Sequence, residues 1–474
     1  MTGSAHAGRK RAPIGGNLET PREWRAAALG ILAGGTALGL MAGHRRLGRI
    51  VPMLTAGVAL GAVLPIASAS RRPPIAPADA AQALAGATRP PTFTILVGAR
   101  DEAAVLAQLV SDVSRQDYRD EAGKPLFELV VVDDRSIDGT GRIVTETARD
   151  LGVADVTRVF RREGADLADG KGAALTAAPP DVCRGDVVLV LDADARLEPQ
   201  FLRLAAGYFA AGARAVTARR RILDSGDGWL AGAQADEQTL DGEINRGRWA
   251  LGGCSEFRGN GIMVRCDLLA AAGGWRAAAL TEDIDLSSRI AATSGDSVAW
   301  AIDAEVWEEP VRTLSGLWRQ RLRWAEGAFR RAFEHGPAVV RSRELSLGAK
   351  LDFVAYVGQL AVPAIALGAT VSAAVAGRRR GLLAILGGYL GVSAVLGWDA
   401  LRWETRPDGG PLHPRERMGR AFRVSLFNGL WLVVVPKALL DLGLRRGPIR
   451  YTKMEHSGSA APDLAPGPAL AIPR

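Results

Sequence analysis

The chain of 474 residues is 48% apolar, 6% aromatic and 23% charged, ample material for a large core, which excludes disorder as its general state. Its 59 lysines and arginines against 51 acids give a formal charge of +8, a balance that suits anionic lipid or nucleotide phosphate as readily as nucleic acid. Three scattered cysteines (Cys183, Cys254, Cys266) exclude a disulfide framework or a cysteine zinc site, and five dispersed histidines exclude a histidine metal cluster or triad. Residues 1–25 are polar and basic and read as a loose N-terminal segment. A secretory signal is excluded because the first apolar run starts late and a second follows at once. Those runs, 26–43 and 50–70, carry no charge and are long enough to cross a bilayer core, so 26–70 is expected to form a transmembrane hairpin. A Pro/Ala-rich stretch at 71–91 reads as a linker, and 92–347 has the composition of a soluble α/β domain. Uncharged runs return at 353–377 and 381–398, and a shorter apolar segment lies at 424–436 between Arg423 and Lys437. The region 348–442 is therefore expected to hold C-terminal transmembrane or interfacial helices, and 443–474 a disordered tail. Four such runs grouped at the two ends argue against buried helices of a soluble protein. The arginines at 402–423 favour a cytoplasmic domain and an inner-membrane, multi-pass chain.

Within 92–347, the continuous apolar or β-branched runs 93–99, 127–132 and 187–191 alternate with helical stretches at 102–116 and 141–151. That alternation predicts an α/β fold with a mostly parallel sheet, its strands buried on both faces. Ligands of such sheets bind beyond the carboxyl ends of the strands. There the second run ends in Asp133 and Asp134 and the third in Asp192-Ala193-Asp194. Unpaired buried carboxylates are costly, so a divalent cation shared with a diphosphate would account for acids at these tips. Ser136 and Asp138 read more simply as helix caps. Gly170-Lys171-Gly172 opens a helix without the P-loop pattern. Its lysine is either a phosphate or base contact or an exposed residue at a helix start. Thr281 is a plausible N-cap for a helix whose first turn holds Glu282 and Asp283, where acids suit the helix dipole. The segment 317–334, with Gln320, Arg321, Arg323 and Trp324, has the look of a basic interfacial helix just before the membrane.

Taken in order, VVDD (131–134), GKGAAL (170–175), DAD (192–194), TED (281–283) and QRLRW (320–324) resemble the membrane-bound family-2 glycosyltransferases of GT-A fold, over about residues 93–347. Relatives in that group include cellulose, hyaluronan and poly-N-acetylglucosamine synthases. The longer string QRLRWAEG (320–327) looks more like the bacterial glucosyl-diacylglycerol synthases. The resemblance implies that Asp133, Asp134 and Lys171 bind the uridine part of a nucleotide sugar, and that Asp192 contacts ribose or metal. It implies that Asp194, with Asp192, ligates Mg²⁺ or Mn²⁺, and that Asp283 is the general base with Glu282 positioning it. It further implies that Gln320, Arg321, Arg323 and Trp324 meet the diphosphate and the acceptor. The expected reaction is inverting hexosyl transfer from a nucleotide sugar, UDP-linked, to a membrane lipid. A processive polysaccharide synthase with a glycan acceptor, and an inactive nucleotide-sugar-binding regulator, are the alternatives. No aromatic-basic stacking module points to nucleic acid, and spans nearly free of ionisable groups argue against transport.

Overall fold

A computed structural model describes residues 20–42, 73–164, 168–178, 184–223, 228–406 and 409–445. In chain order the elements are α1 (Arg22–Ala42), α2 (Pro77–Ala85), β1 (Phe93–Ala99), α3 (Ala103–Ser114), β2 (Phe127–Asp134), α4 (Thr140–Asp150) and β3 (Thr157–Arg162). Next come α5 (Lys171–Ala177), β4 (Val187–Leu191), β5 (Arg196–Leu197), α6 (Phe201–Ala210), β6 (Ala215–Ile222), α7 (Trp229–Ala250), β7 (Ile262–Arg265), α8 (Cys266–Ala271), α9 (Glu282–Ser294) and β8 (Ala299–Glu308). The chain closes with α10 (Leu314–Arg341), α11 (Leu347–Gly358), α12 (Val362–Val375), α13 (Arg379–Ala400), α14 (Pro414–Asn428) and α15 (Trp431–Leu444).

The strands form one 8-stranded sheet in the order β3-β2-β1-β4-β7-β6-β8-β5. Four neighbouring pairs are parallel and β7 and β5 run antiparallel, so the sheet is mixed and mostly parallel as expected. Period-2 alternation sorts the side chains into two cores. Ile95, Val97, Leu129, Val131, Leu189 and Leu191 face α3, α4 and α6. Leu96, Val130, Val132, Val188 and Val190 face α5, α8 and α9. Each such aliphatic side chain is worth about 1.5–3 kcal/mol when fully buried, which is why these runs carry so few polar residues. Register brings Ala99 opposite Asp133 and Val97 opposite Leu191, so the chain leaves β1, β2 and β4 along one edge of the sheet. That edge carries the acids.

The stretch 71–91 is not a bare linker. It contains α2, whose Ala80 is 2% exposed in the core beside α6, and Tyr118 Oη donates to the Pro91 carbonyl at 2.7 Å. Three described segments are long and apolar enough to cross a membrane by length and composition: Arg22–Met41, Leu347–Val375 and Pro414–Leu444. The second half of the expected hairpin, most of the segment 1–25 and the tail beyond Arg445 lie outside the described residues. The short run 424–436 straddles a break between α14 and α15, so it belongs to two helices and not to one short span.

Helix α10 joins the two halves of the molecule. Thr313 caps it, accepting from the Gly316 amide at 3.1 Å. Ala325 and Phe329 of α10 pack with Ala28, Ala364, Val434, Val435 and Leu439 of α1, α12 and α15, with Trp318, Leu322 and Trp431 alongside. A Cβ on Gly327 would overlap the Thr281 side chain. The glycine therefore lets α10 lie directly on the start of α9, one helical turn along from Trp324.

Candidate active site

At the tip of β4, four of the residues singled out from the sequence converge, and Asp194 follows two residues along the same turn. Lys171, the first residue of α5, donates from Nζ to Asp192 Oδ1 at 2.5 Å and to the Gly259 carbonyl at 2.7 Å, with Glu282 Oε1 at 3.5 Å. The Gly259 amide donates to Asp283 Oδ2 at 2.7 Å. Asn260, 0% exposed, accepts from the Asp192 amide at 3.1 Å and donates to Glu308 Oε2 at 3.3 Å. Asp194 is buried and its Oδ2 accepts from the Glu309 amide at 3.1 Å. Lys171 is thus a mostly buried cation of the site and not an exposed lysine at a helix start. Burial works against its ammonium, yet Asp192 and Glu282 outweigh that and hold its pKa above the ordinary value. Glu282, buried beside it, is pushed up mainly by burial, with Lys171 opposing and Asp283 reinforcing the shift. Thr281 stands at the N-cap of α9, but its hydroxyl makes no capping bond and serves instead as the surface on which Gly327 rests.

Helix α10 supplies the second wall. Trp324 is half-buried, with the Arg321 guanidinium 4.1 Å and that of Arg220 5.8 Å from its ring. Arg323 is half-buried and, among the described residues, has no hydrogen-bond or ion-pair partner, so its charge is open to an anion. Arg321 corrects the expectation that it meets substrate. It is 1% exposed, paired with Glu237 of α7, and bonded to Gln320 Oε1 at 2.8 Å. Its charge is spent inside the protein, where it also lies against Phe427 and Trp431. Residues three apart on a helix share a face, so placing Arg321 under Trp324 turns it away from the partnerless Arg323.

Asp133 and Asp134 stand apart from this cluster, on opposite faces of β2. Both are buried, at 2% and 4% exposure, and both are paired, so no cation is needed to account for them. Asp133 accepts from the Ser136 amide at 3.0 Å and from Arg161 at 2.9 Å. It lines a groove of about 460 Å³ with Arg142, Arg149 and Arg161. Asp134 pairs with Arg135 and Arg162, each at 2.9 Å, and Asp169 bridges Arg100 and Arg135 at 2.8 and 2.7 Å. Gly170 alone separates Asp169 from Lys171, so this arginine-rich patch borders the first cluster. Asp101 and Arg135 hold φ of 53° and 61°, backbone strain gathered at the ends of β1 and β2. Asp138 takes the amides of Thr140 and Ala103 at 2.9 and 3.0 Å and so ties the starts of α4 and α3. Ser136 accepts from the Asp101 amide at 2.9 Å. Both fill structural roles, as their turn position suggests.

Sequence reasoning missed Arg220, Gly259, Asn260 and Glu308. Three consecutive arginines in an otherwise β-type run, 219–221, were a legible signal; nothing marks Gly259 or Asn260. Among the described residues Asp285, Glu334 and His335 also come within ligand distance of one another. Arg276 already occupies that space, 3.1 Å from both Asp285 Oδ1 and His335 Nε2, which leaves a cation no place.

Asp192 and Asp194 form a hard oxygen donor pair at a strand end, and that donor set fits Mg²⁺ or Mn²⁺ when a diphosphate completes the shell. The profile of the family described as glycosyltransferase like family 2 matches residues 90–327. The β-monoglucosyldiacylglycerol synthase of Trichormus variabilis is 30% identical over 372 residues, covering 78% of this chain and 77% of that protein. That of Synechocystis is 29% identical over 424 residues, covering 87% and 84%. A mannosyltransferase of Pyrobaculum calidifontis, solved in complex with GDP-Man and Mn²⁺, shares the fold at a TM-score of 0.50 and 19% identity, covering 87% of this chain and 97% of that one. With half of its length matched by the family and three-quarters aligned to a 30% identical relative, the chain belongs to glycosyltransferase family 2 and is a hexosyltransferase of GT-A fold.

Proposed function

We propose that the protein transfers glucose from UDP-glucose to a diacylglycerol-type membrane lipid, with inversion, on the cytoplasmic face of the membrane. The observation that carries the lipid acceptor is the double use of α10. The helix that carries Trp324 and Arg323 rests through Gly327 on the start of α9 and packs its other face among the apolar helices α1, α12 and α15. A headgroup hydroxyl can therefore reach Asp283 while its acyl chains stay in the bilayer. The similarity to β-monoglucosyldiacylglycerol synthases supports glucose as the sugar and diacylglycerol as the acceptor class.

In this reading Asp283 accepts the proton of the attacking hydroxyl, held in place by the Gly259 amide. Glu282 and Lys171 brace one another beneath it. Attack opposite the departing nucleoside diphosphate inverts the anomeric centre, so an α-linked donor yields a β-linked product. Arg323 offers its charge to the leaving diphosphate, where developing charge in a half-buried site rewards a fixed cation. Asp192 and Asp194 would hold a divalent cation, which when bound supplies further positive charge to that leaving group. Lys171 and the Asp134 patch that borders it would receive the uridine part, while Asp133, on the other face of β2, would brace the turn after the strand through the Ser136 amide. The orientation rests on the arginines at 402–423 near the ends of α13 and α14.

The test is incubation of membranes containing the full chain with labelled UDP-glucose, with and without EDTA. Chloroform-soluble label carrying one or a few sugars, lost in EDTA and restored by Mg²⁺ or Mn²⁺, is the expected result. Label recovered only in a high-molecular-weight, glycosidase-sensitive polymer overturns the lipid acceptor. Full activity in excess chelator overturns the metal.

A further inference from the structure

Gly259 sits where the donor side and the base side of the site meet. Its carbonyl accepts from Lys171, which also holds Asp192, and its amide donates to Asp283. A Cβ built on it would find only two heavy atoms within 4 Å beyond its chain neighbours: Arg220 NH1 and Asp283 Oδ2, each at 3.9 Å. The glycine thus leaves an open space bordered by a guanidinium nitrogen and by the proposed base.

Arg220 is held there by its far edge. Its Nε donates to Glu308 Oε2 at 3.1 Å and its NH2 to Oε1, while Asn260 ties Glu308 back to the Asp192 amide. The side chain is 11% exposed and lies against Trp324. NH1 has no hydrogen-bond or ion-pair partner among the described residues. Burial works against the guanidinium, but Glu308, and beyond it Asp192 and Asp283, outweigh that and raise its pKa. The charge is therefore flanked by the acid that faces the leaving group and the acid that faces the acceptor. The transferred hexose must occupy the space between those two. Arginine suits this place because its planar fork can be anchored along one edge and still present a donor from the other.

We infer that Arg220 hydrogen-bonds through NH1 to a hydroxyl of the hexose being transferred, and so helps to select the donor sugar. This rests on reading the Asp192–Asp283 cluster as the donor site. A site built to satisfy a sugar hydroxyl rejects an analogue lacking it, because the buried donor is then left unpaired.

The experiment compares kcat/KM for UDP-glucose and its 2-, 3-, 4- and 6-deoxy analogues in the full-length protein and in R220Q, R220K and E308Q, with UDP binding measured in parallel. In the wild type one deoxy analogue is expected to lose about 10- to 100-fold, the range for a hydrogen bond to a charged group. R220Q should lose a similar factor on UDP-glucose, show no further penalty on that analogue, and bind UDP as before. R220K should recover part of the discrimination. E308Q, which leaves the arginine in place but unanchored, should relax it and keeps the inference testable if R220Q fails to fold. A uniform loss across all donors, with the wild-type pattern of penalties intact, overturns the inference. Asp283→Asn separates the two readings. If that variant still transfers, the reading of this cluster as the active site falls; if it is inactive while R220Q shows a donor-independent loss, this inference alone falls.

Discussion

Two dense charge clusters flank β6, and they differ in whether their charges are spent. At the junction between the sheet and the C-terminal helices, Glu404 is 4% exposed and accepts from Arg219 at 2.6 Å, from Arg221, and from Arg420 at 3.0 Å. Asp236 of α7 takes Arg420 and Arg423, each at 2.7 Å. Burial pushes the Glu404 carboxyl up, but Arg221, Arg219 and Arg420 outweigh it and hold it far below the usual range. Two strand neighbours, Arg219 and Arg221, point into this closed network, while Arg220 between them points to the opposite face. There one nitrogen stays uncommitted, bordering with Asp283 the open space at Gly259. Alternation along a single strand therefore assigns adjacent arginines to structure and to chemistry. A cluster closed on itself clamps the α/β domain to the C-terminal helices; the other keeps a donor unspent.

The sharpest way to break the comparison is Asp283→Asn. It should reduce transfer by roughly 10²–10⁴-fold, the usual worth of a general base, with UDP binding retained; unchanged turnover would remove Asp283 from the mechanism. The counterpart on the closed side is Glu404→Gln. Removing one member of a buried ion network leaves uncompensated charge and should cost about 3–5 kcal/mol of stability, read as a lower thermal midpoint in detergent. Turnover per folded molecule should hold. Equal losses of turnover in the two variants would erase the distinction drawn above.

Gly327→Ala is expected to have a smaller effect. Pushing α10 off Thr281 should cost about 1–3 kcal/mol of overpacking and lower transfer more than UDP binding, since Trp324 moves relative to Asp283. The smallest effect concerns pH. Burial pushes the Glu256 carboxyl up, but Arg331, Arg248 and Arg258 outweigh it and hold it down at about 2. A folded-state value below the unfolded one, about 4.3 for Glu, adds stability that is full above the unfolded value and lost as pH falls through the folded one. Glu404 acts in the same direction. The thermal midpoint should be nearly flat above about pH 5, where both carboxyls are ionised in either state, and fall on acidification. Glu256→Gln should flatten that fall, and an unaltered acid limb would show that its arginines do not act on it.

Much of the site was legible as residues without being legible as geometry. The strand runs ended at the acids because a stretch buried on both faces admits few polar groups, and those only where a partner meets them, as Thr94 meets Glu128. Asp192, Glu282, Asp283 and Lys171 accordingly lie together, with Asp194 two residues on from the first. Arg321 was misassigned because a string such as QRLRW does not say which face of its helix meets the protein; that depends on where Glu237 and Trp431 lie. Asp133 and Asp134 were expected to need outside charge because Arg161 and Arg162, on a neighbouring strand, were not visible as their partners.

By itself the sequence determined the α/β class, the family, the apolar helices and the chemistry-bearing acids, all of which depend on local periodicity or on short strings. Only the tertiary structure decided which charges are spent. Lys171 meets Gly259 across 88 positions and Arg219 meets Glu404 across 185, and such pairings follow from strand order and helix seating, where closure of distant contacts and not local propensity sets the neighbours. Arg220 shows the division most plainly. Its place in a strand was readable, but its role depends on Glu308 holding one edge of its guanidinium and on Gly259 leaving the other edge room.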